Sequence, residues 1–96
     1  MCRNIRLLHN FEPPTTDEEI RAAAIQYVRK VSGLNKPSAQ DEAAFEAAVL
    51  AVAGSTKHLL RSLKAKGPAR TREGEADKAR ARWKQREARM RASPSR

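Results

Sequence analysis

Of the 38 apolar residues in this 96-residue chain, 17 are alanine, and that proportion limits what any fold of it can bury. Alanine is the strongest helix former but brings little apolar area to an interior. A chain this short hides only a modest share of its surface in any case. The sequence therefore points to helices around a thin core. A second copy or another protein would be well placed to complete such a core.

Two helices are announced by their ends. Thr16 is placed to cap the first, and Glu19 three residues later completes a capping box. Asp17, Glu18 and Glu19 lie where the positive end of the helix dipole favours acid. Ile20, Ala24, Tyr27, Val28 and Val31 recur at helical spacing. Arg29 and Lys30 fall in the last turn, and Gly33 suits the left-handed closing position, predicting a helix over 16–32.

After Asn35-Lys36-Pro37, Ser38 is the expected cap of a second helix, with Asp41 as a weaker capping-box partner. Its stripe runs through Phe45, Val49, Val52, Thr56, Leu59, Leu60 and Leu63. Gly54-Ser55 lowers helix propensity there, but the stripe keeps phase across it, so one continuous helix over 38–65 is expected. Gly67-Pro68 is a strong stop. Ahead of the pair, Ile5, Leu7, Leu8 and Phe11 make an apolar lead-in that Pro13-Pro14 keeps from being helical. It is expected to pack on an antiparallel helical pair.

The predicted class is all-α. A helical core with its N-terminal arm spans 1–66, a polar linker 67–74, a basic helix 75–92 and a disordered end 93–96.

Charge supplies the functional lead. Lys and Arg number 20 against 11 Asp and Glu, for a net charge of +9 and a pI near 10.6. Such an excess raises affinity for polyanions and says nothing about fold. It is densest in the third helix, where Lys78, Arg82, Arg86 and Arg89 share one face and Arg80, Lys84 and Arg91 another. A basic helix can follow a nucleic-acid backbone by displacing counterions. Trp83 could stack on an unpaired base. The segment is expected to be partly helical and frayed, ordered only by docking Trp83 or by binding a polyanion, and the plainer alternative is a charged, solvated tail with Trp83 docked on the core.

The chain resembles a family of short bacterial proteins known as domain of unknown function 2277. The resemblance lies in Met1-Cys2-Arg3-Asn4-Ile5-Arg6, Asn10-Phe11-Glu12-Pro13-Pro14, Thr16, Glu18-Glu19-Ile20 and Ala22-Ala23-Ala24. It continues through Gln26-Tyr27-Val28-Arg29-Lys30, Ser32-Gly33, Lys36-Pro37-Ser38 and Glu42-Ala43-Ala44-Phe45. It covers roughly residues 1–65 well, and Lys78-Ala79-Arg80-Ala81-Arg82 more loosely. This sequence departs from the family's usual run at Gly54-Ser55 and at Trp83. The resemblance implies no activity.

No active site is legible. Cys2 would become an N-terminal thiol if Met1 were removed. It would then be a nucleophile or redox sensor whose pKa the nearby Arg3 and Arg6 would lower. The competing reading is a small buried anchor for the arm. Arg3 and Arg6, with Asn4, could contact phosphate or bond to helix ends. Cys2, His9 and His58 lack the spacing of a metal site. With 4 glycines, phosphate-cradling loops are nearly excluded, and no cofactor or small-molecule substrate is expected. The single cysteine suits a reducing interior, and the apolar run 47–53 is too short to span a bilayer, so a soluble cytoplasmic protein is expected.

The expected function is non-enzymatic binding, with RNA or a ribonucleoprotein as partner through the basic helix. The alternatives are a protein-interaction or homo-oligomeric helical module, or a thiol-dependent protein using Cys2.

Overall fold

A computed structural model describes residues 5–92, so the expectations for Cys2, Arg3, Asn4 and the end at 93–96 lie outside the described residues. Three helices follow in order, α1 (Asp17–Ser32), α2 (Glu42–Ser62) and α3 (Arg72–Ala92). The fold is all-α.

Helix α1 forms as its ends dictate. The Thr16 hydroxyl accepts from the Glu19 N–H at 3.2 Å, and the Glu19 carboxylate accepts from the Thr16 N–H at 2.9 Å. Gly33 closes the helix at φ 73°, where its N–H reaches the Arg29 carbonyl at 3.0 Å. A left-handed closing residue is nearly free of strain only without a Cβ.

Helix α2 runs unbroken through Gly54-Ser55, with the Thr56 hydroxyl donating back to the Val52 carbonyl at 2.7 Å. Its start differs from expectation. The Ser38 hydroxyl donates to the Asp41 carboxylate at 3.3 Å, and the Asp41 N–H donates to the Ser38 carbonyl at 3.0 Å. That turn consumes Ser38, so the helix opens at Glu42 with no side-chain cap.

The two helices pack antiparallel: Lys57 pairs with Asp17 at 3.0 Å and Arg21 with Glu46 at 2.8 Å, so advancing along α1 means retreating along α2. The Arg21–Glu46 hydrogen bond lowers the Glu46 pKa and raises that of Arg21. Between the helices lies a core as thin as the alanine content requires. Ile20, Ala24, Val28 and Val49 are buried, with Ile25, Phe45, Ala48, Val52 and Ala53 packed partly against the last three. Tyr27, Val31, Leu59 and Leu63 leave the predicted stripes and stay exposed. For Leu59 and Leu63 the reason is length. α1 begins at Asp17 opposite Lys57, and α2 runs on past that point with no α1 beside it.

Helix α3 starts three residues earlier than expected. The Thr71 hydroxyl accepts from the Gly74 N–H at 2.9 Å, which places Thr71 as its cap. Glu73 and Glu75 supply acid in the first turn. The segment read as a linker is bonded to the arm instead. Asn10, at φ 61°, accepts the Arg70 N–H on its carbonyl at 2.7 Å and donates from its side-chain amide to the Pro68 carbonyl at 3.2 Å. The Glu12 N–H reaches the Arg70 carbonyl at 2.8 Å, pairing Phe11 with Arg70 in a parallel bridge. The Arg70 guanidinium donates to the His9 carbonyl at 2.7 Å.

Arg72 locks this junction to α1. It donates to both Glu19 oxygens at 2.7 and 2.9 Å and to the carbonyls of Pro13 at 2.8 Å and Pro14 at 3.1 Å. Its guanidinium also lies 5.5 Å from the Phe11 ring centroid. Prolines offer acceptors and no donors, so a planar five-donor fork is well matched to them and to a carboxylate together. Glu19 thus serves the α1 cap and the α3 clamp at once. The Arg72 hydrogen bond, then that of the Thr16 backbone, holds its carboxyl down from the usual 4.5 to about 2.

Apart from that contact α3 does not pack on the helical pair, and it has no buried residue. The radius of gyration is 17.4 Å, against roughly 12–13 Å for a compact chain of this length. The molecule is a flat, open body of 51 × 39 × 17 Å with α3 projecting from it.

Three outcomes follow from this architecture. Val49→Ala should cost about 2 kcal/mol in urea unfolding, because it empties the centre of the buried cluster that Val49 forms with Ala24 and Val28. Because the folded-state pKa of Glu19 is depressed, its clamp contributes fully above about pH 4.5 and is lost as the pH falls towards 2. Acid unfolding of Glu19→Gln should lack that portion of the pH dependence, and an unchanged acid profile would refute the clamp. Arg72→Met should speed hydrogen exchange at the Glu12 and Arg70 amides while leaving the amides of the Val49 turn protected.

Candidate nucleic-acid interface

Seven basic residues lie between Lys78 and Arg91, against one acid, Glu87. The third helix is continuous to Ala92 rather than frayed, and it presents Lys78, Arg82, Arg86 and Arg89 on one face as the spacing predicts. Trp83 is not docked on the core. It is 51 % exposed, its indole N–H donates to Glu87 at 3.1 Å, and the Arg86 guanidinium stacks 5.9 Å from its ring centroid. Met90, one heptad further along, is exposed as well.

Beyond Arg72, three ion pairs along this helix are short-range. Lys78 meets Glu75 at 3.1 Å, Arg80 meets Asp77, and Arg91 meets Glu87 at 3.7 Å, all within one turn of the same helix. Their basic side chains remain between 64 and 82 % exposed. Exposed pairs of this kind are worth little and yield readily to a stronger anion. Arg82 and Lys84 have no ion-pair partner among the described residues.

Two of the sequence-predicted residues come together from opposite ends of the chain. Arg6 from the arm and Arg82 from α3 both border a groove of about 560 Å³ between arm and helix. A second cavity, of about 390 Å³, lies where the arm meets α1 and the end of α2, bordered by His9, Asp17, Lys57 and Arg61. His58 stands exposed on α2, and no group of metal-ligating side chains occurs among the described residues. No described helix is long and apolar enough to cross a membrane.

Sequence reasoning missed Arg70 and Arg72, which sit in the segment read as linker. A signal was present. Thr71 followed by Glu73 and Glu75 is a capped acidic first turn, and it places Arg72 at the start of a helix rather than in a loop. Gly67, Pro68 and Gly74 obscured it.

The chain matches the model of a family described as "Uncharacterized conserved protein (DUF2277)" over residues 1–78, which takes in the arm, α1, α2 and the first turns of α3. No curated protein and no solved structure matches it. The match spans more than half of the chain, and the protein belongs to this family.

Proposed function

We propose that the protein is a non-enzymatic binder of polyanions, RNA or a ribonucleoprotein in a bacterial cytoplasm, and that α3 carries the contact. One observation supports this above the others. The densest positive charge of the chain stands on a projecting helix whose Lys78, Arg80 and Arg91 ion pairs stay within that helix. The pairs that tie elements together are made by Arg21, Lys57 and Arg72. Arg72 at the root of α3 thus serves the structure, while further along the helix the side chains of Lys78, Arg80 and Arg91 stay largely exposed to water. The Arg86–Trp83 stack adds a flat aromatic platform of the kind on which a base can rest.

A helix neutralising about five phosphates of a single strand should show a slope near −3.5 of log affinity against log salt. Replacing Arg82, Lys84 and Arg86 together by Gln should reduce that slope by about 2 and weaken RNA binding more than tenfold at low salt. Fluorescence anisotropy with a labelled RNA oligomer measures both. Absence of binding by the intact chain at low salt would contradict the reading.

A second reading, a helical module completed by another copy or another protein, draws on the open shape and on exposed Tyr27, Val31, Leu50, Leu59 and Leu63. Light scattering on a size-exclusion column separates the two, since a monomer at micromolar concentration argues against self-association.

A further inference from the structure

We infer that the groove between the arm and α3 receives one unpaired base of a single-stranded nucleic acid, with Arg6 and Arg82 taking its flanking phosphates; this rests on the polyanion reading above. The groove is about 560 Å³, within the range of roughly 300–1,000 Å³ typical of ligand clefts. Apolar groups line it on both sides, Leu7, Leu8 and Phe11 from the arm and Ala76 and Ala79 from α3, with Arg72 and Glu75 among them. The small side chains at 76 and 79 leave this side open, and larger ones there would narrow it.

Arg6 and Arg82 stand at this groove without an ion-pair partner among the described residues. The two acids beside them are already engaged, Glu19 by Arg72 at 2.7 Å and Glu75 by Lys78 at 3.1 Å. The site therefore combines apolar walls with uncompensated positive charge. A flat, weakly polar ring joined to anions on either side satisfies both. A duplex does not, because its bases are stacked and paired out of reach. Trp83 follows Ala79 by one helical turn, so a strand leaving the groove along α3 meets the Arg86–Trp83 platform next.

The test compares full-length protein binding to a labelled ten-nucleotide oligouridylate, to an RNA duplex of the same length and to inorganic polyphosphate, at one salt concentration. Wild type should bind the single strand at least tenfold more tightly than the duplex. Ala79→Leu narrows the groove against the arm and keeps the charge and the helix. It should lose about tenfold on the single strand and nothing on the duplex or polyphosphate. Arg6→Gln and Arg82→Gln should each weaken single-strand binding. Equal affinity for single strand and duplex, with Ala79→Leu unchanged, would overturn the groove and leave charge-driven binding intact. A single-strand preference that survives Ala79→Leu would place the base on Trp83 and also overturn it. No binding to any of the three probes would overturn the polyanion reading itself.

Discussion

The bidentate contact between Arg72 and Glu19 is the interaction on which the placement of the arm and α3 against the helical pair depends. Glu19 already completes the cap of α1, so the same carboxylate that starts the first helix also anchors the last. The remaining donors of Arg72 reach the carbonyls of Pro13 and Pro14, and its plane covers Phe11. One side chain thus joins the arm, the start of α1 and the start of α3. Without it, the arm and α3 would be joined to each other but poorly oriented on the helical pair.

That reliance on polar contacts follows from the alanine-rich composition. The four apolar residues buried among the described ones cannot by themselves hold three helices and an arm together. The α1–α2 pair takes the available apolar contacts, and α3 is left to be positioned by hydrogen bonds to backbone carbonyls. A helix attached at one end only keeps most of its surface in water. Here that surface is predominantly basic from Lys78 onward, where Glu87 is the one acid before Arg91. The architecture and the charge distribution therefore act in the same direction and leave a basic rod, its root walled by the arm, exposed to water.

Much of this was legible in the residues. The capping box at Thr16 and Glu19, the closing Gly33, the continuity of α2 through Gly54-Ser55 and the basic faces of α3 are local features, and local patterns encode them. What was not legible depends on pairing across the chain. Ser38 reads as a cap, but its hydroxyl is taken by Asp41 in a turn. Leu59 and Leu63 continue an apolar stripe, but α1 is too short to cover them. The segment at 67–74 reads as a polar linker because Gly67, Pro68 and Gly74 interrupt it, whereas its backbone pairs with Asn10 and Glu12 nearly sixty residues away. The convergence of Arg6 with Arg82 is of the same kind, since no spacing rule relates two positions so far apart.

The most direct test of the account is residue-resolved NMR of the isotope-labelled full chain during titration with a short single-stranded RNA. The account expects amide shifts to change along 78–91 and in the arm at 5–11, with α1 and the outer face of α2 unaffected. Changes concentrated on the exposed side of α1 and α2, or no changes at all, would contradict it.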